Sequence, residues 1–103
     1  MEERASGLAW ACEYGHVRVV EYLLDCGSDP NELIFGQTPL HWAAMGAHSE
    51  VVRLLLERNA SSQIRNQYGA TALGQAYWSA EHDDDPKRFE PVLALLTRPE
   101  AAS

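Results

Sequence analysis

A chain of 103 residues has room for one small domain with a modest core, and not for two. With 46% hydrophobic and 22% charged residues it belongs with globular proteins, which excludes a disordered polyelectrolyte. Fifteen acidic against eight basic side chains leave a formal charge of −7, which repels phosphate backbones and anionic lipid headgroups and argues against nucleic acid or a membrane surface as partner.

The opening "MEERASG" lacks the charged-then-apolar plan of a secretion signal, and no apolar run approaches the roughly 18 residues that span a bilayer. An intracellular protein is expected. From Leu8 the stretch "LAWACEYGHVRVVEYLLDCGSDPN" spaces its apolar residues as two short helices do. Cys12 and Cys26 fall inside this pattern, where buried reduced thiols are the expected state. The next stretch, "GSDPNELIFG", carries the residues that accept turn geometries and predicts a projecting turn. A helix over about Pro39 to Gly46 and a second over about Ser49 to Arg58 follow. The turn-rich "NASSQIRNQYG" comes next, then "GATALGQAYW", the acidic "EHDDDPK" and the apolar "PVLALL".

These elements repeat. Leu8, Trp10, Ala11, His16, Val19-Val20 and Leu23-Leu24 lie over Leu40, Trp42, Ala43, His48, Val51-Val52 and Leu55-Leu56 at an ungapped offset of 32 residues. A third copy begins at Gly69, at an offset of 33. There Leu73 to Leu95 spans 22 residues, against 15 from Leu40 to Leu55, so seven extra residues have entered in or near "EHDDDPK". That insertion reads as a solvated loop.

Several residues invite a chemical reading. Thr38 with His41 could be reactive, but a nucleophile, an orienting carboxylate and an oxyanion site do not accompany them. The better reading is a helix start, in which Thr38 caps, Pro39 fits the first helical position and His41 reaches back to the cap. Cys12 and His16 have i, i+4 spacing without the two further ligands zinc requires. His82, Asp83, Asp84 and Asp85 lack the glycine and distant glutamate of a calcium loop. The glycines form no phosphate-binding pattern, so the expectation is no catalytic residue, no metal and no cofactor.

The middle unit, with Gly36, Thr38-Pro39-Leu40-His41, Ala43-Ala44, Val51-Val52 and Leu55-Leu56, closely resembles the ankyrin repeat family. The first unit departs from the pattern in lacking a finger and in having Ala9 at the histidine position. The third departs in having Ala72 for proline and Gly74 for histidine. The resemblance implies an all-α solenoid of three helix-turn-helix repeats with β-turn fingers, over approximately 6–32, 33–65 and 66–98, with the acidic insertion near 80–87. It further implies a monomeric module whose concave face, made by the fingers and the exposed side of the first helices, binds a protein or peptide.

Carried onto that face, the finger residues Ile34, Phe35, Gln37, Gln67 and Tyr68 project beside helix positions Tyr14, Met45 and Trp78, while Trp10 and Trp42 pack partly against neighbours. Contiguous apolar surface rarely lies exposed without a partner. Tyr14, Ile34, Phe35, Met45, Tyr68 and Trp78 are therefore the expected partner-binding residues. The alternative is a regulatory or targeting part of a larger multidomain protein or enzyme, which the fingerless first unit favours and the polar "MEER" opposes.

Overall fold

None of the helices among the described residues is long enough to be secure alone, since helices under about 12 to 15 residues are marginal in water. The computed structural model describes residues 2–97, with side chains from residue 7 onward. Helix α1 spans Glu2–Glu13, α2 Val17–Asp25, α3 Pro39–Met45, α4 Ser49–Glu57, α5 Ala72–Glu81 and α6 Glu90–Leu96, with a 3-10 turn at Pro86–Phe89 before α6. They gain stability by stacking into two layers. In one layer α3 packs between α1 and α5; in the other α4 packs between α2 and α6; and each pair α1/α2, α3/α4 and α5/α6 closes on itself.

The repeat explains how the layers fit. Ala11, Ala43 and Ala76 occupy matching positions, and all three are fully buried. A side chain of one carbon lets neighbouring helices approach closely. Leu8, Leu40, Val20, Val51, Val52, Leu55 and Val92 fill the space between the layers. Cys12 is also buried, and burial pushes its thiol up to about 12, so it stays protonated and inert. Cys26 corrects the expectation for it: one residue past the end of α2, this thiol is exposed.

The turn joining α1 to α2 places Gly15 at φ 75°, and the matching residue between α3 and α4 is Ala47 at φ 62°. Gly15 is required for space as well, because a Cβ there would run into the His48 ring. That ring sits against the first unit with its Nε2 2.8 Å from the Glu13 carbonyl, as a histidine with a structural role should. His16 does not repeat the arrangement. It is exposed and stacks on Trp10, with ring centroids 4.6 Å apart.

The start of α3 answers the question raised by Thr38 and His41. The Thr38 hydroxyl accepts from the His41 amide, and His41 Nδ1 lies 2.8 Å from that hydroxyl and 3.3 Å from the Thr38 nitrogen, a capping box. His41 Nε2 is 2.7 Å from the Ala70 carbonyl of the third unit. A carbonyl only accepts and an amide N–H only donates, so the partners require the neutral ring with its proton on Nε2. At the start of α5 Thr71 again caps, accepting from the Gly74 amide at 3.3 Å, but Gly74 has no side chain to complete the box.

Burial holds the His41 pKa below its ordinary value of 6.5, outweighing the Ala70 hydrogen bond that favours the charged form. The unfolded chain therefore takes up more protons than the folded one just below pH 6.5. This stability contribution is complete above that pH and is lost as the pH falls from it toward the folded-state pKa. The melting temperature is expected to drop between pH 7 and pH 5, and to drop less in His41→Gln, which is weaker at neutral pH but has no proton to gain. Equal pH slopes for the two proteins in a thermal melt would remove His41 from the account.

The acidic insertion departs from a plain solvated loop. Part of it lengthens α5, which has 10 residues against 7 in α3. Part of it forms the Pro86–Phe89 turn, which packs on α5 and α6 and buries Phe89. Asp84, Asp85, Pro86 and Lys87 do face solvent. The Asp83 carboxylate accepts from Arg88 Nε at 2.9 Å and Nη2 at 3.3 Å, and these bonds hold its pKa below the usual carboxylate value. Among the described residues no three His, Cys, Asp or Glu side chains converge as a metal would require, and no helix is long and apolar enough to cross a membrane.

Candidate partner-binding face

The second finger is a two-residue hairpin. Ile34 and Gln37 bridge it by mutual N–H to carbonyl bonds of 2.7 and 3.2 Å, with Phe35 and Gly36 at its tip. Both tip residues have positive φ, 54° and 85°, the geometry of a primed turn. Glycine accepts it freely, whereas a phenylalanine in the left-handed region costs roughly 1–2 kcal/mol. Phe35 nevertheless holds it with 71% of its surface exposed. Backbone strain around an exposed aromatic ring is a local cost without a local gain, the combination that marks functional positions.

The third finger is built around Asn66, which sequence reasoning missed. This side chain is buried: its Oδ1 accepts from the Tyr68 and Ala70 amides at 2.9 and 3.0 Å, and its Nδ2 donates to Gln37 Oε1 and Gln75 Oε1. The available signal was an asparagine three residues before a glycine, a pattern in which the short amide closes a turn on its own backbone. The two fingers are joined by the Gln67 amide, which donates to the Gly36 carbonyl at 3.0 Å. Phe35 and Tyr68 thus stand on adjoining tips, and Tyr68 is 79% exposed.

Two of the residues expected to project do not. Ile34 is buried in the core beneath its own turn, since a hairpin this short sends residues on either side of its tip inward. Gln37 is buried as well, and its Nε2 donates to Met45 Sδ at 3.3 Å, which pins the half-buried methionine at the end of α3. Trp42 packs as expected, half-buried, with its indole N–H on the Ile34 carbonyl at 3.1 Å. Trp10 packs less than expected: it is 52% exposed, tilted against Tyr14 at 6.0 Å between centroids. On α5 Trp78 is exposed and stacks on His82 at 4.1 Å, and His82 Nδ1 bonds to the Trp78 carbonyl at 2.8 Å.

The result is an inner layer that buries its small side chains and leaves Trp10, Tyr14, Phe35, Tyr68 and Trp78 uncovered, each held by ring contacts or by a fixed backbone. A shallow hollow of about 160 Å³ at the junction of the first two units, lined by Gly15, Val17 and His48, is smaller than the pockets that hold small molecules. Comparison with known proteins agrees with this architecture: a model of three ankyrin repeats matches residues 8–97. The chain belongs to the ankyrin repeat family.

Ankyrin repeats are protein–protein interaction modules, and the relatives carry them inside longer polypeptides. The chain is 38% identical over 84 residues to the E3 ubiquitin-protein ligase hecd-1 of Caenorhabditis elegans, covering 82% of this chain and 3% of that one. It is 40% identical over 99 residues to the human ankyrin repeat, SAM and basic leucine zipper domain-containing protein 1, covering 95% of this chain and 20% of that one. It is 39% identical over 75 residues to the palmitoyltransferase AKR1 of Lachancea kluyveri, covering 69% of this chain and 10% of that one. The ankyrin stack therefore spans a fifth or less of the length of these three relatives.

Proposed function

We propose that this ankyrin stack is a non-catalytic, intracellular, monomeric module, built of units at 6–32, 33–65 and 66–98, that binds a protein or peptide segment across its fingertips and inner helices. Tyr14, Phe35, Tyr68 and Trp78 make the contact with Met45 beneath them, while Ile34 supports the finger from the core. The observation that carries this reading is Phe35, exposed at a tip whose backbone a smaller residue would hold at lower cost. Aromatic side chains are enriched among the residues that dominate interface energies. A charge of −7 favours a protein over nucleic acid or lipid.

The test separates stability from binding in one residue. Phe35→Asn should melt at or above the parent temperature, because asparagine tolerates left-handed backbone, yet should bind a partner about thirtyfold more weakly, the equivalent of roughly 2 kcal/mol. Tyr68→Ala and Trp78→Ala should weaken binding in calorimetric titration of a partner isolated from source cells. Arg53→Ala, on the exposed side of α4 in the other layer, should not. If the three variants bind like the parent and Arg53→Ala fails, the binding surface belongs to the outer layer. A second reading, that the stack is the regulatory or targeting part of a larger protein or enzyme, is favoured by the small share of each relative that the match covers.

A further inference from the structure

The three tryptophans all lie in the inner layer, and the residue three places after each one differs with the exposure of the ring. Trp42, half-buried, is followed by Met45, whose thioether is held by Gln37. Trp10 and Trp78, exposed by 52% and 58%, are followed by Glu13 and Glu81, both of them exposed carboxylates. Residues three apart on a helix are surface neighbours, so each uncovered indole has a negative charge beside it. Neither carboxylate belongs to an ion pair among the described residues, where Arg58 pairs with Glu21 and Asp25, and Arg88 with Asp83.

The cations lie elsewhere. From residue 7 onward α1, α3 and α5 carry no lysine or arginine, whereas Arg18, Arg53 and Arg58 lie on or at the end of outer helices, and Lys87 and Arg88 in the Pro86–Phe89 turn. The remaining one, Arg65 in the third finger, is tied to the Gly69 carbonyl at 2.7 Å. The inner helices therefore offer aromatic faces and carboxylates with no arginine or lysine of their own to answer them. An indole face attracts a cation through its ring quadrupole, and a carboxylate beside it pairs with the same group. Each indole already takes a flat ring on one side, His16 on Trp10 at 26° between planes and His82 on Trp78 at 24°, which leaves its other side for a second flat group. A guanidinium is flat, and an ammonium is not.

We propose that the segment bound on this face is basic, with two arginine side chains that stack on Trp10 and Trp78 and pair with Glu13 and Glu81. The inference rests on the reading of this face as the binding surface, and adds the chemistry and spacing of the occupant. Because α3 lies between α1 and α5, and packed helices stand about 8–10 Å apart, the two sites are separated by about 16–20 Å. An extended chain advances about 3.3 Å per residue, so the two arginines stand about five or six residues apart.

Synthetic peptides of one length in a glycine and serine background test it, carrying two arginines at that spacing, two arginines side by side, or two citrullines at that spacing. Binding is followed by the indole N–H resonances of the protein, assigned with Trp10→Phe and Trp78→Phe. The spaced arginine peptide should shift the Trp10 and Trp78 resonances together and bind about tenfold more tightly than the citrulline peptide, the effect of two exposed cation sites. The adjacent arginines, equal in charge, should bind more weakly than the spaced pair. Glu13→Gln and Glu81→Gln should each weaken the spaced peptide about threefold, as loss of one solvent-exposed charge pair does. Glu57→Gln on α4 and Glu90→Gln on α6, exposed carboxylates of the other layer, should leave it unchanged. Equal binding of the arginine and citrulline peptides, equal binding of the spaced and adjacent arginines, or an equal loss in Glu57→Gln and Glu81→Gln would overturn the proposal. Failure of the face itself is read separately, from Phe35→Asn and Tyr68→Ala with the natural partner, where no charge changes.

Discussion

Leu55→Ala is expected to lower the unfolding free energy by about 2 to 5 kcal/mol, as removal of a fully enclosed aliphatic side chain does. Leu55 is fully buried on α4, the helix packed on three sides by α2, α3 and α6. Truncation at such a position leaves a cavity that neighbouring helices cannot collapse into without losing their own contacts. A small domain has only about 5 to 15 kcal/mol of stability to lose, so the variant should melt far below the parent or fail to fold at physiological temperature. Denaturant unfolding followed by circular dichroism gives the number. A midpoint matching the parent's would mean that the middle unit is assigned in the wrong register.

The second large effect is expected at Phe89→Ala, at about 3 to 5 kcal/mol. Phe89 is 1% exposed, and the Arg88 guanidinium lies over its ring at 5.1 Å. The 3-10 turn that carries it closes the third unit over α5 and α6, so losing the ring should loosen the C-terminal end first. Shortening the exposed stretch Asp84 to Lys87 by one residue should matter far less, because loop length has a small entropic cost. The Asp83–Arg88 pair is solvent-facing and should contribute little. Urea titrations of both variants decide the matter: if the shortened loop destabilised as much as Phe89→Ala, the segment would act as a rigid spacer and not as a tether for one buried ring.

That ring was hidden from the sequence for a physical reason. Repeat matching works where each residue has a clear counterpart one unit away, and Phe89 follows directly on the insertion near 80–87, where the register is broken and its counterpart is the polar Ser49. The six helices, their pairing and the capping role of Thr38 and His41 were legible because spacing and cap chemistry are local. Which residues face outward was legible only in part. Position along the repeat identified Phe35, Tyr68 and Trp78 as outward, but it placed Ile34 and Gln37 outward too, because nothing in the order of residues says which side of a two-residue turn a side chain will take. The Asn66 network and the strain at Phe35 depend on backbone angles, which residue types constrain only loosely.

The locked finger has a corollary for the thermodynamics of recognition. Phe35 is fixed by the two bonds between Ile34 and Gln37 and by the neighbouring finger's amide on the Gly36 carbonyl, so its backbone is ordered before any partner arrives. Immobilising a flexible loop at an interface would subtract from affinity, and here that entropy is surrendered during folding instead. On the proposed reading, a ligand meeting these tips would encounter a preorganised surface, and the free energy of association gained there would go into contact rather than into ordering the receptor.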